Sequence, residues 1–171
     1  MQFLTALALA CFAALLSIAP AAADALTDRG GYLVAISGCN DCHTQGTFLG
    51  KPDMAHPLGG SDVGFSVPHQ GVFVGPNLTP DPSGLGGWTR AQIAHVLTTG
   101  ERPDGRILAP VMPWRALAHL TAADAQAIAA YLQSLKPVAY KVPGPFGVDE
   151  TPSVLVMTVL PGPVFKALPK P

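Results

Sequence analysis

The sequence predicts an all-α domain: three or more helices around one bound group, with an extended loop or short hairpin inserted between them and a proline-rich tail after the last. Two observations predict it. Three stretches repeat apolar residues at helical spacing and carry their own start and stop signals. Between and after them lie most of the 18 glycines and 18 prolines, which keep regular elements short. At 171 residues the chain suffices for one sizeable core and is short for two. Hydrophobic residues make up 49%, which excludes a disordered polar segment. A formal net charge of -1 argues against a nucleic-acid partner, whose phosphates call for a basic patch.

The elements follow in order. Residues 1–23 carry no charged side chain, Phe3–Leu16 is almost wholly apolar, and Ala21 and Ala23 form an A-x-A pattern before Asp24, the first charge. This reads as a secretory signal peptide, which places the mature chain in the periplasm. A retained anchor helix and a lipoprotein modified at Cys11 are the rivals; for the latter, Leu9 is badly placed and the site lies early. The longest later uncharged run, Thr151–Phe165, has 15 residues and three prolines, short of the ~20 a membrane span needs. No transmembrane helix is therefore expected in the mature chain. Residues 25–38 read as the first helix, with Leu26, Leu33 and Ile36 apolar and Gly38 as its stop. Residues 44–87 are loop-rich, and Val67–Val74 could hold a short strand or hairpin. A second helix starts at the capping box Thr89-Arg90-Ala91-Gln92, shows Ile93, Val96 and Leu97 on one face, and closes at Gly100. In the third, Thr121 caps, Asp124 sits near the positive end, and Ala125, Ile128, Leu132 and Leu135 form the stripe before Pro137. Gly31 in the first helix offers a close crossing to Tyr131 or Leu132. Residues 137–171 hold eight prolines and read as a surface tail with a helical turn or more around Val154–Leu160. The chain divides into signal peptide 1–23, domain 24–136 and extension 137–171.

The chemistry lies in Cys39-Asn40-Asp41-Cys42-His43. C-x-x-C-H is the attachment signature of c-type haem. Cysteines three apart on a helical turn point the same way, so both sulfurs reach neighbouring vinyl groups, and the next residue, His43, lies under the ring to bind iron. Other readings explain less. A thioredoxin-like pair wants a βαβ setting, structural zinc wants four ligands, and a plain disulfide leaves His43 without a role. One covalent haem c is expected, with its iron.

A haem that carries electrons has both axial positions filled, commonly by His or Met. Met112 lies in Ala109-Pro110-Val111-Met112-Pro113-Trp114, where two prolines restrain the backbone, and is the expected second ligand; Met54 and Met157 are the other candidates. His56 and His69 are possible alternatives that read more simply as solvated loop residues, and His95 and His119 as exposed. Trp88, Trp114, Phe65 and Phe73 could pack on the macrocycle, and Arg90, Arg102, Arg106 and Arg115 could pair with haem propionates or be solvated.

These motifs resemble the class I mono-haem c-type cytochromes. The resemblance covers residues 28–136, and 143–168 more loosely. Gly75-Pro76-Asn77-Leu78 is similar to the family's stretch after the haem motif, and implies that the Pro76 carbonyl accepts a hydrogen bond from the His43 ring. Gly75–Asp81, Asp104-Gly105-Arg106, Met112-Pro113-Trp114 and Ala130-Tyr131-Leu132-Gln133-Ser134-Leu135 resemble the branch that supplies cytochrome subunits to periplasmic dehydrogenases of alcohols, sugar acids or aromatic heterocycles. Relatives in that branch often carry three haems and a membrane anchor; this sequence holds one haem motif. The resemblance implies a cytochrome c-like fold and an electron-transfer protein, not an enzyme. It would take electrons from a dehydrogenase and pass them to a downstream cytochrome or oxidase. The alternative is a haem protein with an open distal site, a gas sensor or peroxidase-like enzyme, and a third reading is a structural subunit. Val154–Val159 is either part of a lasting partner contact or packs on its own core.

Overall fold

A computed structural model describes residues 18–169. Most of the expected signal peptide, residues 1–17, lies outside the described residues. Helix α1 spans Ile18–Ile36, starting seven residues before the expected 25. The alanine-rich stretch 19–25 favours helix, and Pro20 falls in the first turn, where its missing N–H costs nothing. Gly38 then turns the chain in the left-handed conformation, φ 65°. It leads directly into α2, Cys39–His43, and a 3-10 turn at Thr47–Leu49.

The domain is not purely all-α. Strands β1 (Val63–Val67) and β2 (Gly71–Val74) form an antiparallel hairpin, with Gly64 opposite Val74 and Val67 opposite Gly71. The hairpin begins four residues before the expected 67–74. His69 makes its turn at φ 61°. Strand β3, Leu155–Met157, adds in parallel to β1, giving the order β2-β1-β3. This corrects the expected helical turn at 154–160. Pro152 and Pro161 bracket a segment too short to nucleate a helix, while the free edge of β1 offers backbone partners. The tail's helix, α6, lies later, at Gly162–Ala167.

Helix α3 spans Arg90–Thr99 with the expected reciprocal cap: Thr89 accepts from the Gln92 N–H and Gln92 from the Thr89 N–H. Gly100, at φ 74°, donates to the Val96 carbonyl and ends it. A single turn, α4 (Trp114–Leu117), is too short to announce itself by periodicity. Helix α5 spans Ala122–Ser134, capped by Thr121. It stops at Ser134 because Pro137 disfavours helical geometry in the residue before it.

The core joins Leu33 and Val34 of α1, Ile93 and Leu97 of α3, and Ile128, Ala129 and Leu132 of α5. The crossing of α1 and α5 is tight. The expected approach is present at Gly31, where a Cβ would stand 3.0 Å from the Tyr131 ring, but the critical residue is Gly30. A Cβ there would overlap the Ala127 carbonyl oxygen. Gly30→Val is expected to cost about 1–3 kcal/mol of unfolding free energy, measured by urea denaturation, because backbone rather than a flexible side chain must yield. The same pair is tied at the surface by Arg29 Nε donating to Asp124 Oδ1 at 2.8 Å. That bond holds the Asp124 carboxyl below the usual carboxylate range. Its contribution is therefore present above the unfolded-state value and lost as pH falls below about 4. Asp124→Asn is expected to flatten that acid limb of a stability-against-pH curve.

The tail's apolar side chains do not enter the core. Leu155, Val156 and Met157 are exposed, and Val159 is 96% exposed. No described helix is long and apolar enough to cross a membrane.

Candidate functional site

Helix α2 and the loop ahead of α4 meet at a cavity of about 350 Å³. Cys39, Cys42 and His43 line it from one, Met112 from the other, and Pro76 also reaches it. Phe65, Phe73 and Trp88 contribute aromatic wall, and Arg102 and Arg106 guanidinium groups. Among the described residues, His43 and Met112 are the only His and Met on the lining. Met54 and Met157 are 59% and 43% exposed elsewhere, and His56, His69, His95 and His119 are exposed and off the wall. Trp114 packs beneath Gly100 rather than on the cavity. Arg90 reaches toward Gln133, and Arg115 stacks over the Trp114 ring with its guanidinium 4.5 Å from the centroid.

Local sequence positions the sulfurs and the imidazole. One turn of helix puts Cys39 and Cys42 on one side and sends His43 inward, where it is buried. Neither cysteine is in a disulfide. Burial pushes the Cys39 thiol up to about 11 and raises that of Cys42 as well. Both are therefore protonated at neutral pH, the opposite of the activated thiolate of a redox-catalytic pair.

The His43 ring is oriented by the backbone. Its Nδ1–H donates to the Pro76 carbonyl oxygen at 2.8 Å. A carbonyl can only accept, so Nδ1 holds the proton and Nε2 the lone pair. Burial lowers the imidazole's pKa and keeps it neutral, the form that ligates a metal. Sequence reasoning missed what brings Pro76 there. A Cβ on Gly75 would overlap the Cys42 carbonyl oxygen, so only glycine lets the loop after β2 approach α2 this closely. The loop is locked further by Ser61 N–H donating to the Gly75 carbonyl (2.9 Å) and Gly60 N–H to the His43 carbonyl (2.8 Å).

Asn77, only 1% exposed, belongs to the same family-like stretch, Gly75–Leu78, but its contacts were not legible there. Its Oδ1 accepts from the Thr79 N–H and hydroxyl, and its Nδ2 donates to the carbonyls of Val138 (2.7 Å) and Tyr140 (3.3 Å).

The residues present fit a covalently held haem. Two unbridged thiols and a neutral imidazole face one apolar cavity with a thioether, and Arg102 Nε, buried in its wall, has no hydrogen-bond acceptor. That same Nε stands at ion-pair distance from Asp104 Oδ2, 3.5 Å, without forming a hydrogen bond, and the guanidinium stacks 5.1 Å from the Trp88 centroid. Among the described residues, no three His, Cys, Asp or Glu side chains gather as a metal site of the zinc type.

No protein-family model matches the chain. Over 125 residues it is 32% identical to the cytochrome c subunit of a quinone-dependent alcohol dehydrogenase from Gluconacetobacter polyoxogenes, covering 70% of this chain and 24% of that protein. It is 34% identical over 112 residues to the cytochrome subunit of a fructose dehydrogenase from Gluconobacter japonicus, covering 63% and 22%. A diheme c-type cytochrome of Cereibacter sphaeroides is 32% identical over 110 residues, covering 64% and 36%. The chain thus spans about a quarter of the length of the dehydrogenase subunits it matches.

Proposed function

This chain is a cytochrome c resembling the cytochrome c subunits of dehydrogenases, and from that premise we propose that it carries single electrons from a periplasmic dehydrogenase to a respiratory-chain acceptor. The observation that carries this reading is one apolar cavity bounded by Cys39, Cys42, His43 and Met112 together. A single haem c held there supplies a one-electron couple. Cys39 and Cys42 would hold it through thioether links, and His43 Nε2 and Met112 Sδ would ligate its iron. Pro76 holds the imidazole in one tautomer and strengthens its donation. The aromatic and aliphatic wall excludes water, and Arg102 and Arg106 supply donors for carboxylates. No proton donor or nucleophile is needed, so no residue is assigned a catalytic role.

The leader-like residues 1–23 support export to the periplasm. The exposed Leu155, Val159 and Phe165 favour apolar contact with the dehydrogenase over electrostatic steering, in a chain with 12% charged residues.

Expression in cells that attach haem to C-x-x-C-H sites tests the reading. The purified chain should be coloured, gain the mass of one haem, and keep its colour after acid–acetone extraction. Changing both cysteines to alanine should let the extraction remove it. A colourless product overturns the proposal.

A further inference from the structure

We infer that residues 138–157 are a cover fastened over one side of the cavity, keeping water from it and thereby holding the reduction potential up; the inference rests on the haem reading above. Val142, Pro143, Gly144 and Pro145 form part of the cavity wall, although they follow the last core helix, α5. The cover is fastened at both ends.

At the near end the Val138 N–H donates to Thr79 Oγ1 (3.0 Å), and the Val138 and Tyr140 carbonyls accept from buried Asn77. Ser83 Oγ also donates to the Tyr140 carbonyl at 3.0 Å. Two adjacent glycines make room: a Cβ on Gly59 would stand 2.8 Å from Val138, and one on Gly60 would overlap Val142. At the far end Phe146 and Val72 exchange both backbone hydrogen bonds at 2.9 Å, and β3 pairs with β1. Strand β1 carries Phe65, while Phe73 and Val74 lie on β2, so the cover is stitched to the hairpin that lines the same cavity.

The electrostatic consequence has a definite sign. Ferric haem carries one more positive charge than ferrous haem. Admitting water stabilises the more charged state and lowers the potential. The cover opposes that.

Gly71→Val tests the inference in the full, haem-loaded chain. Gly71 is off the cavity wall, has φ 109°, and a Cβ there would overlap the Phe146 carbonyl oxygen, so the far end must detach. Faster protease cleavage within 138–157 verifies detachment. At a fixed ambient potential the ferrous-to-ferric ratio should then fall about tenfold, equivalent to ~59 mV for one electron. The sulfur-to-iron absorption band should persist. An unchanged potential with a detached cover overturns the inference. So does loss of the band together with the potential, since the segment would then act through Met112. If Gly71→Val fails to fold, Val142→Ser decides: a downward shift with the band kept supports the cover, and no shift overturns it. A colourless parent protein defeats the haem reading itself, and is told apart because it precedes any variant.

Discussion

Met112→Ala is expected to remove the sulfur-to-iron charge-transfer band, lower the midpoint potential by about 100 mV or more, and convert a ferrous protein that ignores carbon monoxide into one that binds it. The reasoning is one of supply. Among the described residues Met112 is the only methionine on the cavity wall, and the other four histidines lie exposed elsewhere. Once the thioether is gone, no neighbouring side chain of suitable chemistry can replace it, so the position opens to solvent and to small ligands. A thioether favours ferrous iron, and exchanging it for water shifts the balance toward ferric. Because Met112 is half-buried rather than central to the core, the chain should still fold and take up haem, which makes the spectrum interpretable. If the parent protein already binds carbon monoxide and the variant's spectrum matches it, the open-site reading replaces the electron carrier.

Gly75→Val is expected to cost about 3 kcal/mol or more in denaturant unfolding and to weaken His43 as a ligand. The new Cβ overlaps the Cys42 carbonyl oxygen, which belongs to the helix that carries the attachment motif. Relief requires residues 75–77 to move outward. That movement stretches the 2.8 Å bond from His43 Nδ1 to the Pro76 carbonyl and the 2.9 Å bond from Ser61 to Gly75. Losing the carbonyl frees the imidazole to rotate and reduces its basicity toward iron. Both effects should appear together: a lower denaturation midpoint and an altered ferric spectrum. Gly87→Ala is the control, since a Cβ there meets nothing within 4 Å, and it should leave both readouts unchanged. Equal behaviour of the two variants would show that the close approach at Gly75 is not needed.

The difference between these two residues shows how much was legible. Cys39, Cys42 and His43 lie within one helical turn, so residue spacing alone placed them on one cavity wall. The caps Thr89 and Thr121 were equally readable, because a cap and its N–H partner are three residues apart. Gly75 stands in the family-like stretch Gly75–Leu78, yet nothing around it in sequence says what a side chain there would strike. Its requirement comes from Cys42, a residue distant in sequence, and no local pattern encodes that contact. The contacts of Gly30 and Asn77 were hidden for the same reason: their partners, Ala127 and Val138, arrive only when α5 packs.

The tail marks the boundary most sharply. Its prolines were enough to exclude a long helix after Ser134, since each removes a donor and restricts its predecessor. They could not say that 155–157 would become a strand, because strand pairing depends on which free edge lies nearby. That edge is Val63–Phe65, about ninety residues earlier. By itself, then, the sequence supplied the C-x-x-C-H motif with its spacing, the caps of α3 and α5, and Met112 as candidate ligand, all read from neighbouring residues. The tertiary structure alone decided the parallel addition of β3 to the hairpin, the glycine approaches at 30 and 75, and the wall built by residues 142–145, because those depend on surfaces that exist only after distant segments have packed.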